Sequence, residues 1–217
     1  MGSSLRSDLT RRFDRRRGAC VLVAIKARSR CKTRLAESLS AAARIQLVRS
    51  MLAQVLAAAD GAETVRQVIV VSPERDTVPR QIPVLADTGE CLNGALTEAH
   101  RLLCELGCPE VVILPADLPQ ITAADIDALV RAARSGGFAI APDASGAGTN
   151  ALCLTAPCPC PFPFRFGVHS REAHLREAEL LGLDPRVVNL PALAFDVDLP
   201  ADLDRLDGQP WLARLRA

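Results

Sequence analysis

Apolar positions along this chain recur with two different periods, and the two take turns from about residue 20 onward. Cys20 to Ile25 is a short apolar run rich in β-branched residues, as a buried strand requires. From Ala41 to Ala59 the apolar residues Ile45, Val48, Leu52, Val55 and Leu56 then fall at spacings of three and four, the spacing of one helix face. Gln67 to Val71 and Pro83 to Ala86 read as further strands. After Asn93 the set Leu96, Ala99, Leu103 and Leu106 restores the helical period until Gly107 stops it.

The second half repeats the scheme. Glu110 to Leu114 is a strand-like run ending in Pro115-Ala116-Asp117. Thr122 and Asp125 have the spacing of a capping box and open a helix whose buried face is Ile126, Leu129, Val130 and Ala133, closed by Gly136-Gly137. Phe138 to Ala141, Asn150 to Leu154, Val187 to Leu190 and Ala194 to Val197 read as later strands, with a helix from Ser170 to Leu181 among them. Strands alternating with helices of ten or more residues predict a three-layer α/β/α domain on a mainly parallel, mixed sheet. In such sheets ligands bind beyond the carboxyl ends of the strands.

Composition narrows the options. A length of 217 residues suits one domain, here residues 19–217. Residues 1–18 carry six arginines against Asp8 and Asp14 and read as a solvated, disordered basic leader. With only 3% aromatic residues the chain lacks the stacking platforms of single-strand binders, so no nucleic-acid partner is expected. No apolar run approaches the roughly 20 residues needed to cross a bilayer, and no secretory signal is visible, so the expectation is a cytoplasmic protein with no membrane partner. The eight cysteines lack the paired C-x2-C spacings of zinc sites and read as reduced, mostly buried thiols, Cys158-Pro159-Cys160 being the one pair to watch.

The sharpest chemical signal is Asp196-Val197-Asp198. Positions i and i+2 of an extended chain face the same way, so two carboxylates stand side by side. Such a pair repels itself unless a cation lies between, and hard oxygen ligands suit Mg2+. On a structural reading Asp198 merely opens the turn before Pro200. Asp117 shifts the balance, because it follows a buried-looking strand at the place where open α/β sheets hold ligands, and Thr122 already caps the next helix. After the first strand Lys26, Arg28, Arg30, Lys32 and Arg34 crowd into nine residues, a loop able to neutralise a triphosphate. No glycine pattern of a P-loop or a dinucleotide fold is present.

Phe164-Arg165-Phe166-Gly167-Val168-His169-Ser170 leads into a helix and forms a candidate anion seat, with Ser170 as N-cap. Of the three histidines, His100 is expected at the surface of its helix, and His174 either lines the site or is a satisfied structural residue. Neither a Ser-His-Asp set nor a metal-binding His pair can be assembled from spacing.

In sequence order these segments resemble the 2-phospho-L-lactate guanylyltransferase family, which makes an activated precursor of coenzyme F(420). The landmarks are Ile25-Lys26 through Lys32-Thr33-Arg34-Leu35, Cys91-Leu92-Asn93-Gly94-Ala95-Leu96, Leu114-Pro115-Ala116-Asp117-Leu118-Pro119, Gly148-Thr149-Asn150-Ala151-Leu152, Phe164-Arg165-Phe166-Gly167 with Ser170 and His174, and Asp196-Val197-Asp198. The resemblance implies a GT-A-like nucleotidyltransferase fold and transfer of GMP from GTP to a phosphorylated three-carbon acid: 2-phospho-L-lactate, phosphoenolpyruvate or 3-phospho-D-glycerate. It implies that Asp117, Asp196 and Asp198 hold two Mg2+ ions and that Thr149, Gly167 and Ser170, with His174 nearby, bind the acid. Lys26, Lys32 and Arg34 would meet the GTP phosphates, and Leu92 and Asn93 would lie near the nucleoside. The basic leader, Cys91 where glycine is more usual, and the Pro-Cys-rich segment before Phe164 depart from the family pattern. A monomer or homodimer is expected. Other readings are a molybdopterin or sugar-phosphate nucleotidyltransferase, or a nucleotide-binding module without turnover.

Overall fold

Seven strands form one sheet in a computed structural model that describes residues 18–25, 32–87, 91–206 and 211. The strands are β1 (Ala19–Ala24), β2 (Val65–Ser72), β3 (Val84–Ala86), β4 (Glu110–Pro115), β5 (Gly137–Pro142), β6 (Thr149–Thr155) and β7 (Asp184–Val187), in the order β3-β2-β1-β4-β6-β5-β7. The helices are α1 (Ala41–Gly61), α2 (Leu92–Glu105), α3 (Ala123–Gly136), α4 (Ser170–Leu180) and two short ones, α5 (Pro191–Ala194) and α6 (Pro200–Asp204). Pairings are parallel except that β6 runs antiparallel to both β4 and β5.

Alternation along each strand builds the layers. On β1, Val21 and Val23 join one core with Leu52 and Val55 of α1 and Leu129 and Val130 of α3. Cys20 and Leu22 join the opposite core with Leu96 and Leu103 of α2 and Ala178 of α4. The interior strands are buried on both faces, which is why they read as unbroken apolar runs. The capping box of α3 forms, with Thr122 Oγ1 accepting from Asp125 N and the Asp125 carboxylate accepting from Thr122 N. Asp127 on that helix accepts hydrogen bonds from Glu63 N, Thr64 N and Thr64 Oγ1, tying α3 to the start of β2.

Several expectations require correction. No strand covers Ala194–Val197: Pro191, with its preset φ, starts the helical turn α5 there, and residues 195–199 have no ladder partner. The strand expected at Val187–Leu190 sits three residues earlier, as β7 on the exposed sheet edge, where Pro185 interrupts any hydrophobic alternation. His100 is buried rather than at the surface, because the chain from Cys160 to Phe166 folds over its side of α2. Cys104 and Cys160 are joined as a disulfide rather than remaining separate thiols, a pairing that a separation of 56 residues hides from any spacing rule. The leader up to residue 17 lies outside the described residues, as do Lys26, Arg28 and Arg30.

Candidate active site

β1 and β4 are adjacent and parallel in the middle of the sheet, and their carboxyl ends, where such sheets hold ligands, lie side by side at one rim. A cleft of about 590 Å3 lies there, lined among others by Lys32, Asn93, Asp117, Thr149, Ser170 and Asp196. Asp117 stands two residues past the end of β4. Asp196 and Asp198 reach the same place from the segment after α5, although that segment is not a strand. Its backbone is extended at Phe195, and Val197 between the two aspartates is fully buried with Phe195, Leu35, Leu47, Met51 and Leu206. Burying the valine turns both flanking carboxylates toward the cleft. Leu35 in the same cluster anchors the end of the loop that carries Lys32 and Arg34.

Carboxylate oxygens of Asp117, Asp196 and Asp198 all lie within 4.8 Å of one another. Lys32 Nζ donates to Asp117 Oδ2 at 2.5 Å and to Asp198 Oδ1 at 3.0 Å, with its side chain only 6% exposed. Burial pulls the Lys32 pKa down, but the charges of Asp117 and Asp198 and the hydrogen bonds to them outweigh it and leave the ammonium more firmly protonated than usual. Arg34, largely exposed, stands 3.7 Å from Asp198. Burial and then the neighbouring Asp117 raise the pKa of Asp196, which Asn150 offsets by donating from Nδ2 to Asp196 Oδ1 at 3.3 Å. Three converging carboxylates with one half-buried and electrostatically disfavoured are a hard-oxygen set that fits a divalent cation such as Mg2+.

Across the cleft the second half of the site is assembled from β6, α4 and the chain between them. Thr149 opens β6, and its Oγ1 lies 3.0 Å from His174 Nδ1. His174 Nε2 accepts the backbone N–H of Arg165 at 2.8 Å, so Nδ1 carries the proton, donates it to Thr149 Oγ1 and leaves the threonine hydroxyl hydrogen to point elsewhere. His174 is fully buried, and burial, reinforced by the Arg165 charge, lowers its pKa to about 4. It stands behind Thr149 instead of lining the cleft. Ser170 is the first residue of α4, not its cap. The cap position is His169, in the left-handed region at φ 55° with no side-chain bond. Ser170 N donates to Gly167 O and Arg171 N to Ala147 O, so two amides expected to be free at this helix start already have partners. Gly167 has φ 143°, a conformation that side chains other than glycine's resist, and it lines the cleft with Ser170.

Sequence reasoning missed two supports. Asn150 also donates to Ala194 O and so ties the Asp196 segment to the sheet. Asp143 accepts from Gly148 N and lines the cleft; a Cβ on Gly148 would stand 2.5 Å from its Oδ2. A polar residue near the head of an apolar strand was the available signal for Asn150.

The pattern of the family described as guanylyl transferase CofC like matches residues 19–207. This chain is 38% identical over 191 residues to a phosphoenolpyruvate guanylyltransferase of Sphaerobacter thermophilus, covering 86% of this chain and 91% of the relative. It is 39% identical over 191 residues to one of Rubrobacter xylanophilus, covering 86% and 92%. The chain belongs to the CofC-like guanylyl transferase family. Among solved structures, a putative nucleotide-diphospho-sugar transferase from Desulfovibrio desulfuricans superposes with a TM-score of 0.75 at 18% identity, covering 91% of this chain and 94% of that one. A 4-diphosphocytidyl-2C-methyl-D-erythritol synthase superposes at 0.60 with 14% identity, covering 88% and 98%. At those identities the likeness is one of fold, and it agrees with the mixed, mainly parallel sheet. The matched span holds every landmark of the CofC-like pattern and both halves of the cleft. No helix among the described residues is long and apolar enough to cross a membrane.

Proposed function

We propose that this protein is a guanylyltransferase that moves GMP from GTP to the phosphate of a phosphorylated three-carbon acid, releasing pyrophosphate, in an early step of coenzyme F(420) biosynthesis. Phosphoenolpyruvate is the first acceptor to test, since it is named in the relatives above. The observation that carries the reading is the meeting of Asp117, Asp196, Asp198 and Lys32 on one wall of a cleft whose other wall is Thr149, Gly167 and Ser170. One wall suits cation-bound phosphates and the other suits a small anion.

Asp117, Asp196 and Asp198 would hold Mg2+, with room in their chemistry for two ions. Bound there, the metal supplies charge neutralisation for the triphosphate and for the transition state. The remaining work falls to the chain's own groups. Lys32 and Arg34, with Lys26, which lies outside the described residues, balance the phosphate charge. Leu92, at the start of α2, faces the nucleoside. Thr149, its hydroxyl oriented by His174, and Ser170 beside Gly167 hold the acid. A phosphate oxygen of the acceptor, already ionised at neutral pH, bonds to the α-phosphorus of GTP while the bond to the β-phosphate oxygen breaks. No side-chain base is needed for that step. The catalytic domain begins at about residue 19, and the basic leader stands outside it.

Incubation with GTP, Mg2+ and each of the three acids, with pyrophosphate release and product mass as readouts, tests the assignment. Turnover with at least one acid is expected. Folded protein that is silent with all three would overturn it.

A further inference from the structure

Residues 157–169 have no regular secondary structure, yet they carry Phe166, Gly167 and the approach to Ser170, the acceptor side of the cleft. Proline at 157, 159, 161 and 163 removes backbone donors that a ladder would need. Three of the remaining N–H groups find side chains instead. Phe162 N donates to His100 Nδ1 at 3.0 Å, Arg165 N to His174 Nε2 at 2.8 Å, and Phe166 N to Asn93 Oδ1 at 2.8 Å. Asn93 Nδ2 donates in return to Phe166 O at 3.0 Å. One amide side chain thus exchanges two hydrogen bonds with one residue's backbone, the pairing a neighbouring strand would otherwise make.

Asn93, His100 and Cys104 are spaced by seven and four residues on α2, which puts them on one helix face. Their partners Phe166, Phe162 and Cys160 follow in reverse order, so the segment runs along α2 as a strap pinned at three points. Phe162 and Phe164 fill the core beneath it, and Phe166 meets the His174 ring edge-on at 4.7 Å. The pin nearest the cleft is Asn93, at the first turn of α2, where the CofC-like resemblance implies the nucleoside lies.

We propose that Asn93 is a positioning residue for the acceptor: by clamping Phe166 it fixes Gly167, and with it the acid, relative to the nucleotide side of the cleft. The inference rests on the acceptor seat proposed above. It differs from a direct nucleoside contact because both ends of the amide are engaged by Phe166.

Steady-state kinetics of Asn93→Ala and of the nearly isosteric Asn93→Asp test this, alongside backbone hydrogen exchange over residues 164–168. Asn93→Ala should raise the KM for the acid by about tenfold, the loss expected for two hydrogen bonds, with the KM for GTP changed by less than about twofold. Exchange at the Phe166 amide should speed up. Asn93→Asp keeps an acceptor for Phe166 N but sets a charged carboxylate oxygen against Phe166 O in place of the donor, so a rise in the acid's KM of at least about tenfold is expected. It carries the test if the alanine variant fails to fold. A rise in the KM for GTP with the acid's KM unchanged would overturn the proposal in favour of a nucleoside contact. Faster exchange with unaltered kinetics would reduce Asn93 to a structural pin. Wild-type protein silent with every acid would instead remove the acceptor seat itself.

Discussion

Lys32 Nζ stands 2.5 Å from Asp117 Oδ2, and the same ammonium bonds Asp198 from the far end of the chain. A buried lysine in that position is a cation for the carboxylates, and a divalent ion would compete for the same oxygens. Lys32→Met should therefore tighten Mn2+ binding in the absence of nucleotide, read as the loss of the free-ion signal in electron paramagnetic resonance. Turnover should nevertheless fall on the order of 10²-fold, because the charge that faces the phosphates is lost. Weaker Mn2+ binding by the variant would show that the lysine organises the carboxylates instead of competing for them.

Asp117→Asn and Asp196→Asn should each cut pyrophosphate release by on the order of 10³-fold. Their effect on stability should run the other way for Asp196. Burial and the Asp117 charge disfavour its carboxylate, so a neutral amide of the same shape should raise the melting temperature. Calorimetry reads this directly, and a lower melting temperature would mean that the contact with Asn150 outweighs the repulsion.

Much of this arrangement was legible in the chain because its signals are local. The periods that marked β1, α1, α2, β4 and α3 depend only on near neighbours, and the i, i+2 spacing of Asp196 and Asp198 survives even though the segment is no strand. What escaped was set by distant contacts. His100 looked exposed because nothing within its helix announces the strap that buries it. Ser170 looked like a cap because the left-handed turn at His169 is imposed by the approach through Gly167. Lys32 was visible as one of several loop cations, but its selection as the partner of Asp117 depends on Leu35 and Val197 meeting in one cluster.

Buried histidines make stability depend on pH in a defined window. Burial holds both His100 and His174 at about 4, below the ordinary 6.5. Between those values the unfolded chain binds a proton at each ring that the folded chain refuses, so stability is complete above about pH 6.5 and falls as pH drops toward 4. Below 4 both states are protonated and this contribution changes no further. Each ring accounts for roughly 3 kcal/mol across the window. Melting temperatures from pH 7 to 4 should show the decline, and His100→Asn, whose Oδ1 stands where Nδ1 accepts from Phe162 N, should remove about half of it. A variant with an unchanged slope would mean that His100 takes up its proton without unfolding.

Cys104 and Cys160 close a loop of 56 residues between α2 and the strap. Cross-linking such a loop stabilises by up to roughly 4 kcal/mol in the chain-entropy account, because the unfolded ensemble loses its freedom there. Cys160 is exposed and so within reach of a thiol reductant, whereas the strap's buried Phe162 and Phe164 and the His100 bond do not involve the disulfide. Reduced protein should therefore stay folded but melt at a lower temperature, and Cys104→Ser should melt like the reduced protein and ignore reductant. Wild-type melting that is the same with and without reductant, together with an added free thiol at each of the two positions by mass labelling, would mean that the pair stays reduced in solution and that hydrogen bonds alone hold the strap to α2.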